Sequence, residues 1–142
     1  MDIQDFKDLL HERNLKATNP RLNLLMHMYN YKSAMPYSAI QDSMKPIDRV
    51  TLYRTLESLQ SQGIIHKAYQ ENNETYFAMC GVSCKKNEHS HDHIHFKCTS
   101  CELVTCEKLK KAVTISIPEY QINRTSIFLE GICKMCKDQL VA

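Results

Sequence analysis

Two cysteine pairs, Cys98-Thr-Ser-Cys101 and Cys133-Lys-Met-Cys136, are the part of this 142-residue chain best suited to chemistry. Each pair can offer two thiolates to one centre, and two pairs supply the four sulfurs of a closed tetrahedral zinc site. Such a site leaves no coordination position for water or substrate, so its role is structural. A redox use of Cys-x-x-Cys competes, but it calls for one pair in a strand-helix-strand setting, whereas here two pairs match each other. The 31 residues between the pairs exceed the span of a short zinc ribbon, so the ion would staple the start of a sheet to the end of the chain.

A second group of donors comprises Cys80, Cys84, His89, His91, Asp92, His93 and His95, with His66 upstream and Cys106 downstream. It holds more ligands than one ion needs. In a strand His93 and His95 project to one face and can chelate, while Ile94 and Phe96 face the core. Imidazole with thiolate favours zinc over magnesium or calcium and leaves iron, nickel and cobalt open. The competing reading is a polar, solvated loop. The opening residues MDIQDFKDLLHER lack the pattern of a secretory signal, and no run approaches 18 apolar residues. A cytoplasmic setting, where thiols stay reduced, is therefore expected, and metal ligation outranks disulfides.

These donors need a folded frame. With 43% hydrophobic and 24% charged residues, three Gly and four Pro, the composition excludes collagen-like and low-complexity chains. A net charge of +2 is too small to argue for nucleic acid or membrane, so any basic surface must be local. Charge does not divide the chain but cysteine does, since all seven lie from Cys80 onward. We expect two domains, 1–79 and 80–142. In the first, Ile3, Phe6, Leu9 and Leu10 predict one helix, and Asn19 capping Pro20 predicts a second that buries Leu22, Leu25, Met26 and Tyr29. A short helix over Tyr37 to Ser43 and a fourth from an Asp48 cap to Gln62 follow, stopped by Gly63. IIHKAY and ETYFAM around QENN predict a hairpin. Helices followed by a two-stranded wing suggest a winged helix-turn-helix. In the second, HIHFKC, LVTC and TSIFLEGIC read as strands and EKLKKAV as a short helix, giving an α+β class overall.

On the fourth helix Leu52, Leu56 and Leu59 share one stripe, which leaves Tyr53 and Arg54 outside it. Beside Thr51 near a helix N-terminus, these side chains suit base stacking, thymine-methyl contact and guanine or phosphate hydrogen bonds. Lys16, Arg21 and Arg49 could reach phosphates or a minor groove. The alternative is an ordinary solvated face.

Together, KATNPR, RVTLYRTLESLQSQGII, HIHFKCTSC and GICKMC closely resemble the ferric uptake regulator family of metal-sensing bacterial repressors, over nearly the whole chain. The resemblance implies a winged-helix DNA-binding domain, a hinge and a small α/β dimerisation domain. It assigns groove reading to Tyr53 and Arg54, a minor-groove contact to Lys16, and structural zinc to Cys98, Cys101, Cys133 and Cys136. Pro36, Val113 and Thr125 stand where iron-sensing members carry ligands, whereas His66 and Cys80 match positions used by the zinc uptake branch. The sensory site implied is His66, Cys80, His93 and His95. Cys106 stands where relatives place a carboxylate ligand, and Cys84, His89 and His91 are possible additions. The expected function is a repressor, zinc-responsive in the first instance, with iron, manganese or peroxide sensing as alternatives. It would bind a palindromic duplex operator as a homodimer, with no membrane and no small-molecule substrate. A zinc deaminase is disfavoured because His-x-Glu followed by Pro-Cys-x-x-Cys is absent.

Overall fold

The computed structural model describes residues 1–31, 33–79, 93–111, 113–123 and 127–140. Helix α1 (Ile3–Glu12) starts in a capping box, in which Asp2 accepts from the Asp5 N–H and Asp5 accepts from the Asp2 N–H. It buries Phe6 and Leu10. Helix α2 (Asn19–Tyr31) already includes Asn19, because the Thr18 carbonyl accepts the first helical bond, from Leu22. Its buried residues are Leu22, Leu24, Leu25 and Met28, whereas the expected Met26 and Tyr29 are exposed. The reason is position: α2 is packed by α1, α3, α4 and a strand at once, so its apolar contacts wrap around more than one stripe. Tyr29 still meets Phe6 edge-on at 5.9 Å.

Strand β1 (Met35–Pro36) leads into α3 (Tyr37–Met44), and α4 (Arg49–Ser61) follows an Asp48 cap. Leu52, Leu56 and Leu59 are buried as the helical period requires, with Thr55 beside them. Gly63, at φ 73°, takes the left-handed turn that ends α4. Strands β2 (Ile65–Glu71) and β3 (Glu74–Met79) pair antiparallel around Asn72-Asn73. The turn is two residues, not the four of QENN. Both Asn have positive φ, 50° and 65°, as a twist-matched hairpin turn demands, so Gln70 and Glu71 remain in the ladder. β1 adds a third strand on the far side of β3. One core, including Phe6, Leu24, Ile40, Leu59 and Phe77, joins these elements.

In the second lobe β4 (His93–Cys98) lies between antiparallel β5 (Val104–Lys108) and parallel β6 (Phe128–Gly131), and α5 (Lys134–Leu140) ends the described chain. The helix expected over EKLKKAV is not found among the described residues of that segment. Glu107 and Lys108 pair with Ile94 and His93, so the strand ladder claims the segment's first residues, and among the described residues of the second lobe no helix precedes α5.

The two lobes touch through β5. The Ala34 N–H donates to the Val104 carbonyl at 2.6 Å, and Val104 is buried among Ala34, Ala68 and Ala78. Small side chains allow the sheets this close approach.

Candidate metal centres and nucleic-acid interface

Cys98 ends β4, Cys101 follows in a tight turn, Cys133 follows β6 and Cys136 lies in α5. The parallel β4–β6 register, with Cys98 opposite Gly131, carries the second pair to the first. All four sulfurs fall within 4.8 Å of one another, and Cys101 and Cys133 Sγ are 3.9 Å apart. Sulfurs on a tetrahedral zinc with 2.3 Å bonds stand about 3.8 Å apart, so the donor set fits the ion. The backbone completes it: the N–H groups of Cys101 and Cys133 donate to Cys98 Sγ at 3.5 and 3.3 Å. These donors hold the Cys98 thiol down to about 6 from an ordinary 9.0. Cys136 moves the other way, pushed up to about 12 by hydrogen bonding to Cys133. Cys101 is also raised: the Leu103 N–H lowers it, but burial and the Cys98 and Cys133 thiols outweigh that donor. The cluster therefore carries its first negative charge on Cys98.

Of the second group of donors, His66, His95 and Cys106 are described, and the two histidines come together where the lobes meet. His66 on β2 and His95 on β4 bring their Nε2 atoms to 2.5 Å, with ring centroids 4.5 Å apart. Two imidazoles on one tetrahedral zinc hold their nitrogens about 3.3 Å apart, so a rotation of under about 1 Å would seat an ion between them. Cys106 stands directly opposite His95 across the β4–β5 ladder, and Phe128 stands opposite it on the other side. A strand pair places such side chains on one face. Cys80, Cys84, His89 and His91 lie outside the described residues, as does the side chain of His93, whose backbone pairs with Lys108.

A bulge at Ala68 aims the wing. The β2–β3 register slips between Lys67 and Tyr69, so Tyr69 joins His66 and Ala68 in facing the second lobe. Tyr69 stacks on Phe128 at 4.6 Å with the rings 9° from parallel. Lys97 Nζ lies 4.8 Å over the Tyr69 ring and pairs with Glu71 at 2.5 Å. That carboxylate holds the Lys97 ammonium well above the ordinary lysine value, and Lys97 in turn lowers Glu71. The latch of Lys97, Glu71 and Tyr69 was not singled out from the sequence. Its trace was there, because Lys97 continues the His93, His95 alternation toward the same face.

On the first lobe, Tyr53 is 64% exposed on α4 and Arg54 is exposed beside it, as are Arg49 and Lys16. Two expected contacts are otherwise engaged. Thr51 is half-buried, its N–H and hydroxyl donating to the two carboxylate oxygens of Asp48. Arg21 donates from Nε to Ser58 Oγ and from Nη1 to the Lys16 carbonyl, which ties α2 to α4 and fixes the loop that carries Lys16.

A family model described as the ferric uptake regulator family matches residues 12–131. The chain belongs to the ferric uptake regulator family. It is thus a metal-responsive transcription regulator and not an enzyme. The ferric uptake regulation protein of Haemophilus ducreyi is 30% identical over 93 residues, 61% of this chain and 58% of its own length, so the match spans little more than half of that relative. The ferric uptake regulation protein of Vibrio cholerae is 25% identical over 150 aligned positions, 96% of this chain and 94% of its own. Among solved structures, holo XcZur matches with a TM-score of 0.70 at 18% identity, covering 96% of both chains. A zinc uptake regulator complexed with zinc and DNA also matches at 0.70, with 20% identity over 99% of this chain and 95% of the other. At these identities the likeness is one of fold, and it extends over both lobes. No helix among the described residues is long and apolar enough to cross a membrane.

Proposed function

We propose that this ferric uptake regulator family member is a cytoplasmic zinc-responsive repressor that binds a roughly palindromic DNA duplex as a homodimer. One observation carries the reading: His66 from the wing and His95 from the second lobe converge on a single point. The regulatory ligands are His66, Cys80, His93 and His95, with Cys106, opposite His95 on β5, able to replace one of them. A bound ion supplies positive charge and a fixed coordination geometry, and no catalytic step. Because His66 and His95 come from different lobes, their shared engagement limits the angle at which α4 is presented. In a dimer this sets two α4 helices about 34 Å apart, one turn of DNA. Tyr53 and Arg54 read base edges, while Lys16 and Arg49 hold the backbone. Cys98, Cys101, Cys133 and Cys136 keep a structural zinc. The division into a reading domain, 1–79, and a pairing domain, 80–142, is supported by the two separate sheets. Exposed apolar side chains in the second lobe, Val113, Ile115, Ile117, Tyr120 and Leu129 among them, support its covering by a second copy.

Iron sensing is the rival reading, and the names of the Haemophilus ducreyi and Vibrio cholerae relatives favour it. The softer donor set, imidazole with thiolate, favours zinc. Elemental analysis of untagged protein purified without oxygen, with operator binding titrated against zinc, iron and manganese, tests both. Zinc alone restoring binding supports the proposal. Restoration by ferrous iron at lower free concentration than zinc overturns it.

A further inference from the structure

We infer that Val50 is a further specificity-determining residue, taking the C5-methyl group of a thymine in the groove that receives α4. The inference rests on the DNA-binding reading above and extends it to a position that reading does not use.

Val50 lies in the first turn of α4 and is 59% exposed, close to the 64% of Tyr53. With 100° per residue, Val50 falls between Tyr53 and Arg54 around the helix, so the three form one outward stripe opposite Leu52, Leu56 and Leu59. A β-branched residue is a mediocre helix former, and an outward one in the first turn gains nothing from the core. Its polar neighbour is less exposed. The Thr51 hydroxyl and N–H are both held by Asp48, and Thr51 is half-buried. The first turn therefore offers a duplex two methyl groups on Val50, followed one turn later by a ring and a guanidinium. In the major groove the thymine methyl is the apolar feature of a base edge, and residues at the start of a reading helix reach such edges. Val50 supplies apolar contact and Arg54 supplies hydrogen bonds, so the pair distinguishes thymine from cytosine and guanine from adenine at neighbouring positions.

The test uses full-length, zinc-loaded protein and the duplex it selects from a randomised library. Each thymidine of that duplex is replaced in turn by deoxyuridine, which removes only the methyl group, and affinity is read by fluorescence anisotropy. At one thymine per half-site, loss of the methyl should weaken wild-type binding roughly fourfold, the value of one buried methyl-sized group. Val50→Ala should be indifferent at that position and retain the wild-type response elsewhere, with Val50→Thr falling between them. Tyr53→Phe should keep the sensitivity. An unchanged deoxyuridine profile in Val50→Ala, or no methyl effect in the wild type, overturns the assignment. So does a lowered melting temperature in both Val50 variants, which would make the residue structural. Failure to select any duplex removes the repressor reading itself, whereas selection followed by an unchanged profile removes only the role of Val50.

Discussion

Replacing His66 with alanine should uncouple metal from DNA while leaving both lobes folded. The side chain is half-buried on β2 outside both core clusters, and its Nε2 meets that of His95, so the substitution deletes the wing's share of the regulatory site. The size of the effect follows from what already joins the lobes. The Ala34–Val104 hydrogen bond, the stack of Tyr69 on Phe128 and the Lys97–Glu71 pair need no ion. An ion therefore adds to an existing bias. It need not supply the about 5.5 kcal/mol that full inversion of a 1:99 equilibrium requires. A coupling of about 1 to 3 kcal/mol, roughly 5- to 150-fold in operator affinity, is expected. Linkage demands that the operator tighten zinc at this site by the same factor. Anisotropy titrations of a labelled operator in zinc buffers give one side of the cycle, and zinc competition with and without operator gives the other. In His66→Ala both factors should fall to about one. Retention of the wild-type factor, with the four-cysteine ion still seated, would refute the bridging role of His66.

Other expectations concern the frame and the sulfur site. Cys98→Ser should remove one equivalent of zinc and melt the second lobe, while leaving the far-ultraviolet signal of the first-lobe helices; equal loss of helix would argue against separate roles. Because the folded Cys98 thiol sits near 6 and the unfolded one near 9, its ionisation stabilises the zinc-free lobe fully above about pH 9, and that stabilisation is lost as pH falls through about 6. Thermal melts of chelator-treated protein between pH 6 and 9 should show stability rising with pH. Leu59→Ala, at a fully buried position in α4, should cost about 2 to 5 kcal/mol in denaturant titrations. The pair Tyr53→Ala and Arg54→Ala should abolish operator binding with no change in melting temperature, since both side chains are exposed.

Much of the frame was legible because one period dominated each segment. The α4 stripe of Leu52, Leu56 and Leu59 and the Asp48 cap are local facts that no tertiary contact overrides. α2 was less legible: neighbours on several sides make burial at Leu24 and Met28 as good as at the expected Met26 and Tyr29. EKLKKAV carries helix-forming residues, yet pairing with β4 wins over propensity, which is a weak prior beside a ladder of hydrogen bonds. The four-cysteine site could be read from spacing alone because a tetrahedral ion needs two such pairs. The place of Cys106 could not, since it depends on which β5 residue faces His95. The Ala68 bulge left no mark in the sequence that alternation could detect, and with it the aim of Tyr69 stayed hidden.

The stack of Tyr69 on Phe128 also gives the molecule an optical signature of its own posture. The chain contains no tryptophan, so its near-ultraviolet circular dichroism arises largely from tyrosines. Rings that rotate freely in solvent contribute little, whereas one held against an ammonium and a parallel ring contributes a signed band. Swinging the wing away would extinguish that band without unfolding a single helix. The posture of the protein can thus be followed during titration without any attached dye.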